Sequence, residues 1–275
     1  MATPKEKNIL QVRMPNMRNG TLAMLREEII GAIKSAKEGA ENHRHASDLV
    51  VLFSENALEY RFNIEGADVR REAKLIQGSL PKEMCVIVAF SAQVHFGKKI
   101  VANMGYLITT EAIRTLPKRK IVDSDFCDYR EGLKTGAFEN WSMLSWDRWA
   151  TKLKYPKTPF QETPREIPYP RVITPSGNKI EHRVCSDASY DDSYGRWIEK
   201  DPNYDPDVIT IVSADSLKTK YPAQLKPYRL AVIVNDGESV YMPAHCEEAR
   251  EKGIGELVQN QASIDFFLMP PLLEK

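Results

Sequence analysis

The stretch Asp48-Leu-Val-Val-Leu-Phe-Ser-Glu55 contains a short apolar run, Leu49–Phe53, which lies between an aspartate and the pair Ser54-Glu55. Continuous apolar runs of this length are typical of strands that are buried on both faces of a sheet. The run therefore predicts a central strand, with Glu55 just beyond its end. Ligands and reacting groups collect at strand ends in α/β sheets, so Glu55 is a candidate functional residue.

Helical and strand patterns alternate on both sides of this run. Before it, apolar residues recur at helical spacing over 21–37, and Thr21 is placed to cap that helix. After it, a second helix fits 66–80 and is ended by Pro81. Strands are predicted at 8–14, 84–91, 101–109 and 112–116, the last two as a hairpin. This order of elements predicts an α/β domain.

The region from about 129 to 170 interrupts the pattern. Residues 128–170 contain five prolines and three tryptophans and show no sustained period. Long irregular stretches of this kind are more often functional insertions than separate domains. Beyond the insertion, helical composition is found at 247–261 and strands are predicted at 171–174, 179–185, 207–212, 230–234 and 262–268. We therefore predict a single α/β domain, 1–275, with mixed sheets and a Trp- and Pro-rich insertion.

The composition restricts the possible partners. The chain has 275 residues, and 38 basic residues balance 38 acidic ones. A net charge of zero gives no overall attraction to nucleic acid or to an anionic membrane. The longest apolar run, Cys85–Phe90, is far shorter than the roughly 20 residues that span a bilayer. With no apolar signal segment at the start and four cysteines without CxxC spacing, we expect a soluble, reduced, cytoplasmic protein.

The sequence contains no pattern for a metal or a cofactor. Its five histidines are scattered, and no Gly-rich phosphate loop is present. His182 lies three residues before Cys185 on one predicted strand, where the two side chains point to opposite faces, which argues against a Cys–His dyad. We expect neither a metal nor a cofactor.

Three candidate catalytic residues stand at or shortly after the ends of predicted strands, namely Glu55, Lys120 and Cys185. Lys120 belongs to a basic cluster with Lys118 and Arg119, and Lys118 is the alternative if Lys120 is directed elsewhere. Periodicity alone does not show that the three residues meet.

Three segments together resemble the nitrilase superfamily of carbon–nitrogen hydrolases. They are Asp48–Glu55, the segment from Asn103 through the hairpin to Ile121, and Arg183-Val-Cys-Ser-Asp-Ala-Ser-Tyr190. They resemble the family's glutamate strand, its asparagine strand with the lysine hairpin, and its nucleophile segment, the last nearest to the aliphatic-amidase branch. The resemblance covers roughly 8–126 and 171–268. It implies an αββα sandwich of two mixed sheets flanked by helices, and frequent homodimers.

The resemblance also implies a chemistry. Cys185 is the nucleophile that forms a thioester, Glu55 is the base that takes its proton, and Lys120 stabilises the oxyanion. A thiol with a pKa near 8.5 needs such activation at neutral pH. The substrate would be a small amide or nitrile.

Further residues are implied on the substrate side. The backbone N–H of Ser186 is a second oxyanion donor, and Asp187 is a hydrogen-bonding residue of the same loop. Asp128, with Glu131 nearby, occupies the place of a glutamate that positions substrate in many members.

Several departures from the family pattern leave other functions open. Ser54 replaces the usual proline, the insertion lengthens the lysine-to-cysteine interval, and the usual tryptophan–arginine–glutamate–asparagine helix is not found. The alternatives are a binding or regulatory protein on the same fold, and an acyltransferase that uses the same three residues. The remaining alternative is an unrelated α/β protein in which Cys185 is a buried core residue.

Overall fold

The structure is a computed structural model. It describes residues 10–15, 17–40, 48–55, 57–59, 64–96, 100–118, 142–143, 169–175, 177–185, 208–212, 231–235, 240–241, 255–260 and 263–268.

Two helices and fourteen strands lie in these ranges. The helices are α1 (Leu22–Ala40) and α2 (Gly66–Ser79). The strands of the first half are β1 (Leu10–Pro15), β2 (Asp48–Leu52), β3 (Ile64–Glu65), β4 (Cys85–Phe96), β5 (Ile100–Ile108) and β6 (Ile113–Pro117). The others are β7 (Ser142–Met143), β8 (Arg171–Ile173), β9 (Lys179–Val184), β10 (Val208–Val212), β11 (Ala231–Asn235), β12 (Val240–Tyr241), β13 (Gly255–Asn260) and β14 (Ser263–Leu268).

The strands form two mixed sheets. The larger has the order β13-β14-β1-β2-β4-β5-β6, with β3 paired to β4 and β7 paired to β5. Within it, β1, β2 and β4 are parallel neighbours. The smaller sheet has the order β12-β11-β10-β9-β8, in which β9, β10 and β11 are parallel. Parallel strands place their carboxyl ends at one edge, and this edge holds the residue that follows each strand.

The two sheets face each other across an apolar core. Alternate residues of β1, β2, β4 and β5 contact residues of β9 and β10 between the sheets, among them Val50, Ala89, Leu107, Ile180 and Val184. The opposite face of the larger sheet packs against α1 and α2. The burial of both faces explains why Leu49-Val-Val-Leu52 is apolar without alternation.

The fold prediction is confirmed, and the helix boundaries have local causes. The hydroxyl of Thr21 accepts a hydrogen bond from the backbone N–H of Met24 at 3.3 Å, which caps α1 as predicted. Helix α2 ends two residues before Pro81. In the part of the chain that the structure describes, no helix is long and apolar enough to cross a membrane.

One element differs from its prediction. Residues 255–260, expected to belong to a helix, form β13, which pairs antiparallel with β14 along its whole length. The backbone hydrogen bonds available from the neighbouring strand outweigh a weak helical composition. The predicted insertion falls mostly outside the described residues, and the single-domain organisation stays a prediction.

Candidate active site

The carboxylate of Glu55 lies at the carboxyl end of β2 and is buried, with 4% of the residue exposed. The backbone reaches this point by following β4 for one residue beyond β2, because the N–H of Phe53 donates to the carbonyl of Ala89 at 2.9 Å. The chain then turns, and the N–H of Ala57 donates to the carbonyl of Ser54 at 3.2 Å. The turn directs a charged side chain into the protein.

Two side chains donate to the same oxygen of Glu55. Asn103 Nδ2 lies 2.6 Å from Glu55 Oε1, and Lys118 Nζ lies 3.1 Å from it. The backbone N–H of Lys118 also donates to the carbonyl of Asn103 at 2.7 Å, which continues the β5–β6 hairpin by one residue. The hairpin therefore brings the amide and the ammonium to the carboxylate together.

This ion pair is removed from water, since the side chains of Glu55 and Lys118 are each 3% exposed. A buried carboxylate is tolerated only when it is paired and hydrogen-bonded, and charge-assisted bonds from the ammonium and the Asn103 amide meet that requirement. The arrangement provides a carboxylate that can accept a proton and, beside it, a positive charge that can stabilise an oxyanion.

Cys185 directly follows β9 and has an unusual backbone conformation. Its φ is +43°, in the left-handed region that residues with a side chain rarely adopt. Both cysteines in the described part of the chain, Cys85 and Cys185, carry thiols. Strained turns that follow a buried strand occur where a nucleophile is presented from a sheet edge.

The neighbours of Cys185 connect it to the Glu55 cluster. Val184 packs on the bare backbone of Gly105 in β5, so closely that a methyl group at position 105 would lie 2.8 Å from Val184 Cγ2. Asn103 is two residues from Gly105 on the same face of β5, about 7 Å along the strand. Cys185 thus leaves β9 next to the strand that carries the amide partner of Glu55.

Comparison with solved structures finds this arrangement of sheets in amidases. An amidase from Nesterenkonia sp. aligns over 99% of this chain and 94% of its own, with a TM-score of 0.60 and 10% identity. A cysteine-to-serine variant of the Nesterenkonia AN1 amidase, from the nitrilase superfamily, aligns over 97% and 93%, with a TM-score of 0.58 and 10% identity. The chain has the fold of these amidases. No protein-family model and no curated protein sequence matches it.

A third similar structure is a covalent adduct. It is a glutamate-to-leucine variant of the AN1 amidase that carries the acetamide moiety of fluoroacetamide covalently at its active-site cysteine. It aligns over 98% of this chain and 94% of its own, with a TM-score of 0.58 and 10% identity.

Among the described residues, the lysine that contacts Glu55 is Lys118. Lys120, chosen from the sequence, lies outside the described residues, as do Asp128, Glu131, Ser186 and Asp187. The alternation of side chains along a strand does not distinguish Lys118 from Lys120, because positions two residues apart point to the same face. The register of the hairpin, in which Ile108 pairs with Ile113, brings position 118 opposite Asn103. That register was available from the predicted turn at 109–112.

The insertion reaches the sheet beside this site. The edge of β5 that pairs with β6 over 104–108 pairs with β7 at Ile100 and Val101. A segment of the insertion, Ser142–Met143, therefore continues the sheet just beyond Lys118.

His182 takes no part in a dyad with Cys185. Its Nδ1 lies 3.1 Å from the hydroxyl of Thr210 on β10, and its side chain shares with Val184 the face that meets Gly105. Burial lowers its pKa from the ordinary 6.5 to about 4, although the backbone groups of Phe90 and Thr210 partly oppose the shift. The imidazole is therefore neutral at pH 7.

This shift predicts an acid-dependent loss of stability. The unfolded state binds a proton near pH 6.5 and the folded state only near pH 4, so the contribution of His182 is complete above pH 6.5 and is lost as the pH falls toward 4. Between pH 7 and pH 4.5 we expect the H182N variant to lose about 2.5 kcal/mol less free energy of unfolding than the wild type. Urea denaturation at the two pH values measures the difference. An equal loss in both proteins would contradict the assignment.

Other features of the described residues lie outside this site. An open cavity of about 370 Å³ is found at the far end of β5, lined by residues such as Thr109, Arg114 and Arg171, and it does not include Glu55. No three His, Cys, Asp or Glu side chains among the described residues are grouped as metal ligands.

Proposed function

We propose that the protein is a thiol hydrolase of the nitrilase superfamily that cleaves a non-peptide carbon–nitrogen bond, with a small amide as substrate. The observation that carries the proposal is the buried Glu55–Lys118–Asn103 cluster, since Asn103 lies two residues along β5 from the glycine on which Val184, the residue before Cys185, packs. The fold shared with amidases supports it, as do the small amide ligands of those structures, one of which is a complex with butyramide.

In this proposal Cys185 is the nucleophile. Its thiol proton passes to Glu55 as the sulfur attacks the amide carbon, and the Lys118 ammonium stabilises the resulting oxyanion. The carbon–nitrogen bond then breaks, and Glu55 returns the proton to the departing amine. Water attacks the thioester with Glu55 as base, the carbon–sulfur bond breaks, and the thiol regains its proton.

The lysine assignment follows the contact with Glu55, so we assign Lys118 the role that the sequence suggested for Lys120. On the substrate side we retain the N–H of Ser186 as a second oxyanion donor. Asp187, Asp128 and Glu131 are retained as residues that orient the loop and the substrate.

The test is selective alkylation of Cys185 together with a panel of small aliphatic amides and nitriles. We expect iodoacetamide to label Cys185 rapidly at pH 7, because the carboxylate and ammonium beside it activate the thiol. Cys85 is the internal comparator, since burial and the adjacent Asp48 carboxylate raise the pKa of its thiol to about 12. Peptide mapping by mass spectrometry gives both rates. Equal, slow labelling of both cysteines with no turnover would favour a binding or regulatory protein.

A further inference from the structure

A second buried cluster lies at the opposite ends of the same strands. Asp48, the first residue of β2, is fully buried, and its Oδ2 accepts hydrogen bonds from Thr174 Oγ1 at 2.7 Å and Asn178 Nδ2 at 2.6 Å. Thr174 and Asn178 flank the turn between β8 and β9. The N–H of Thr174 donates to the carbonyl of Asn178 at 2.9 Å, and the N–H of Asn178 donates to the hydroxyl of Thr174 at 3.0 Å. We name these three residues the Asp48 latch. It connects the larger sheet to the smaller one.

The latch and the proposed catalytic residues have matching spacings. Asp48 lies seven residues before Glu55, and Asn178 lies seven residues before Cys185. If β2 and β9 run in the same direction, a contact at their starts brings their ends to the same height in the sandwich.

The registers show that they do run in the same direction. Leu52 of β2 pairs with Ala89 of β4, and two residues further Ser91 pairs with Gly105 of β5. Val184 packs on Gly105, so the end of β9 is level with the position two residues beyond Leu52. The start of β9 is level with Asp48 because of the latch. Strand β9 therefore runs in the same direction as β2, from a start beside Asp48 to an end that lies against β5.

We propose that Asp48 is a positioning residue. It fixes the start of β9 relative to β2, so that Cys185, after the end of β9, lies at the same height in the sandwich as Glu55. The inference rests on the proposed function and adds to it a determinant that contacts neither substrate nor reacting atoms. A shift of β9 by one residue would move Cys185 by about 3.3 Å. Such a shift equals the whole distance across which a nucleophile and its base cooperate.

Three variants test the latch as a pair. N178D sets two carboxylates against each other where an amide now donates to Asp48, so we expect β9 to move. D48N/N178D reverses the roles of donor and acceptor and restores the hydrogen bond. T174V removes one of the two donors with little change of shape and gives a milder loss if N178D does not fold. I173T, at the 60% exposed neighbour of Thr174, is the matched control.

The readout is the pH profile of Cys185 alkylation by iodoacetamide, together with kcat and KM for the best amide, at a temperature at which each variant is folded. We expect N178D to slow alkylation at pH 7 at least tenfold and to move the profile toward that of an ordinary thiol. We expect kcat to fall more than KM changes, the double variant to recover both within threefold, and I173T to match the wild type.

The outcomes separate this inference from the proposed function. An ordinary thiol profile and no turnover in the wild type would overturn the proposed function itself. An activated wild-type thiol whose profile is unchanged in N178D and T174V, with only the melting temperature lowered, would overturn the latch and leave the hydrolase standing. If D48N/N178D did not recover the alkylation rate and the kcat that N178D loses, the pairing of Asp48 with Asn178 would likewise be overturned.

Discussion

Replacing Cys185 by alanine is expected to abolish amide turnover while the protein keeps its fold. The variant removes the only atom that forms the covalent intermediate, and loss of such a nucleophile costs about a thousandfold or more. The folded state changes little, because the side chain is small and only partly buried. Steady-state turnover of the best amide, with circular dichroism and melting curves on the same sample, measures both effects.

The serine variant sharpens this test. C185S preserves the shape of the site but replaces a thiol by a hydroxyl, which the Glu55 carboxylate ionises far less readily. We expect a loss close to that of C185A, with no labelling by iodoacetamide at this position. Turnover by C185A equal to that of the wild type would refute the nucleophile assignment.

Breaking the Glu55–Lys118 ion pair is expected to reduce both stability and activity, whereas removing the whole pair reduces only activity. E55Q removes one partner of the buried pair and K118M removes the other, and loss of one partner of a buried ion pair costs about 3–5 kcal/mol of unfolding free energy. E55Q/K118M leaves neither charge, so we expect most of that stability to return. Activity stays at least about a hundredfold down in all three variants, because base and oxyanion donor are lost.

Denaturant melts and amide turnover on the four proteins complete this cycle. K120M decides between the two lysines: a larger activity loss in K120M than in K118M would return the oxyanion role to Lys120. Additive destabilisation in E55Q/K118M would show that the two charges do not stabilise each other.

The parts of the fold that sequence could predict are those whose causes are local. The run Leu49–Leu52 is apolar at every position because helices cover one face and a second sheet covers the other. Thr21 identifies the start of α1 through its own hydroxyl. Strand β13 was mispredicted because its pairing with β14, rather than its composition, decides its conformation.

The site was harder to predict because its contacts join distant parts of the chain. Glu55 and Lys118 are 63 residues apart, and Asp48 and Asn178 are 130 apart. No local pattern distinguishes Lys118 from Lys120, and the choice of Lys120 stays a prediction because that residue lies outside the described ranges. The latch gave no sequence signal, since an aspartate at the start of a strand and an asparagine in a turn are each common alone.

On the proposed function, Gly105 restricts where a substrate can be accommodated. Facing sheets are usually about 10 Å apart. Here Val184 contacts the backbone of Gly105 in the opposite sheet, so the two sheets approach closely at the residue before Cys185. The strands of the two sheets are therefore in contact here, and a substrate of the proposed enzyme has to approach from the carboxyl ends of the strands. Altering specificity by enlarging the sheet core would disturb the chemistry before it changed the choice of substrate.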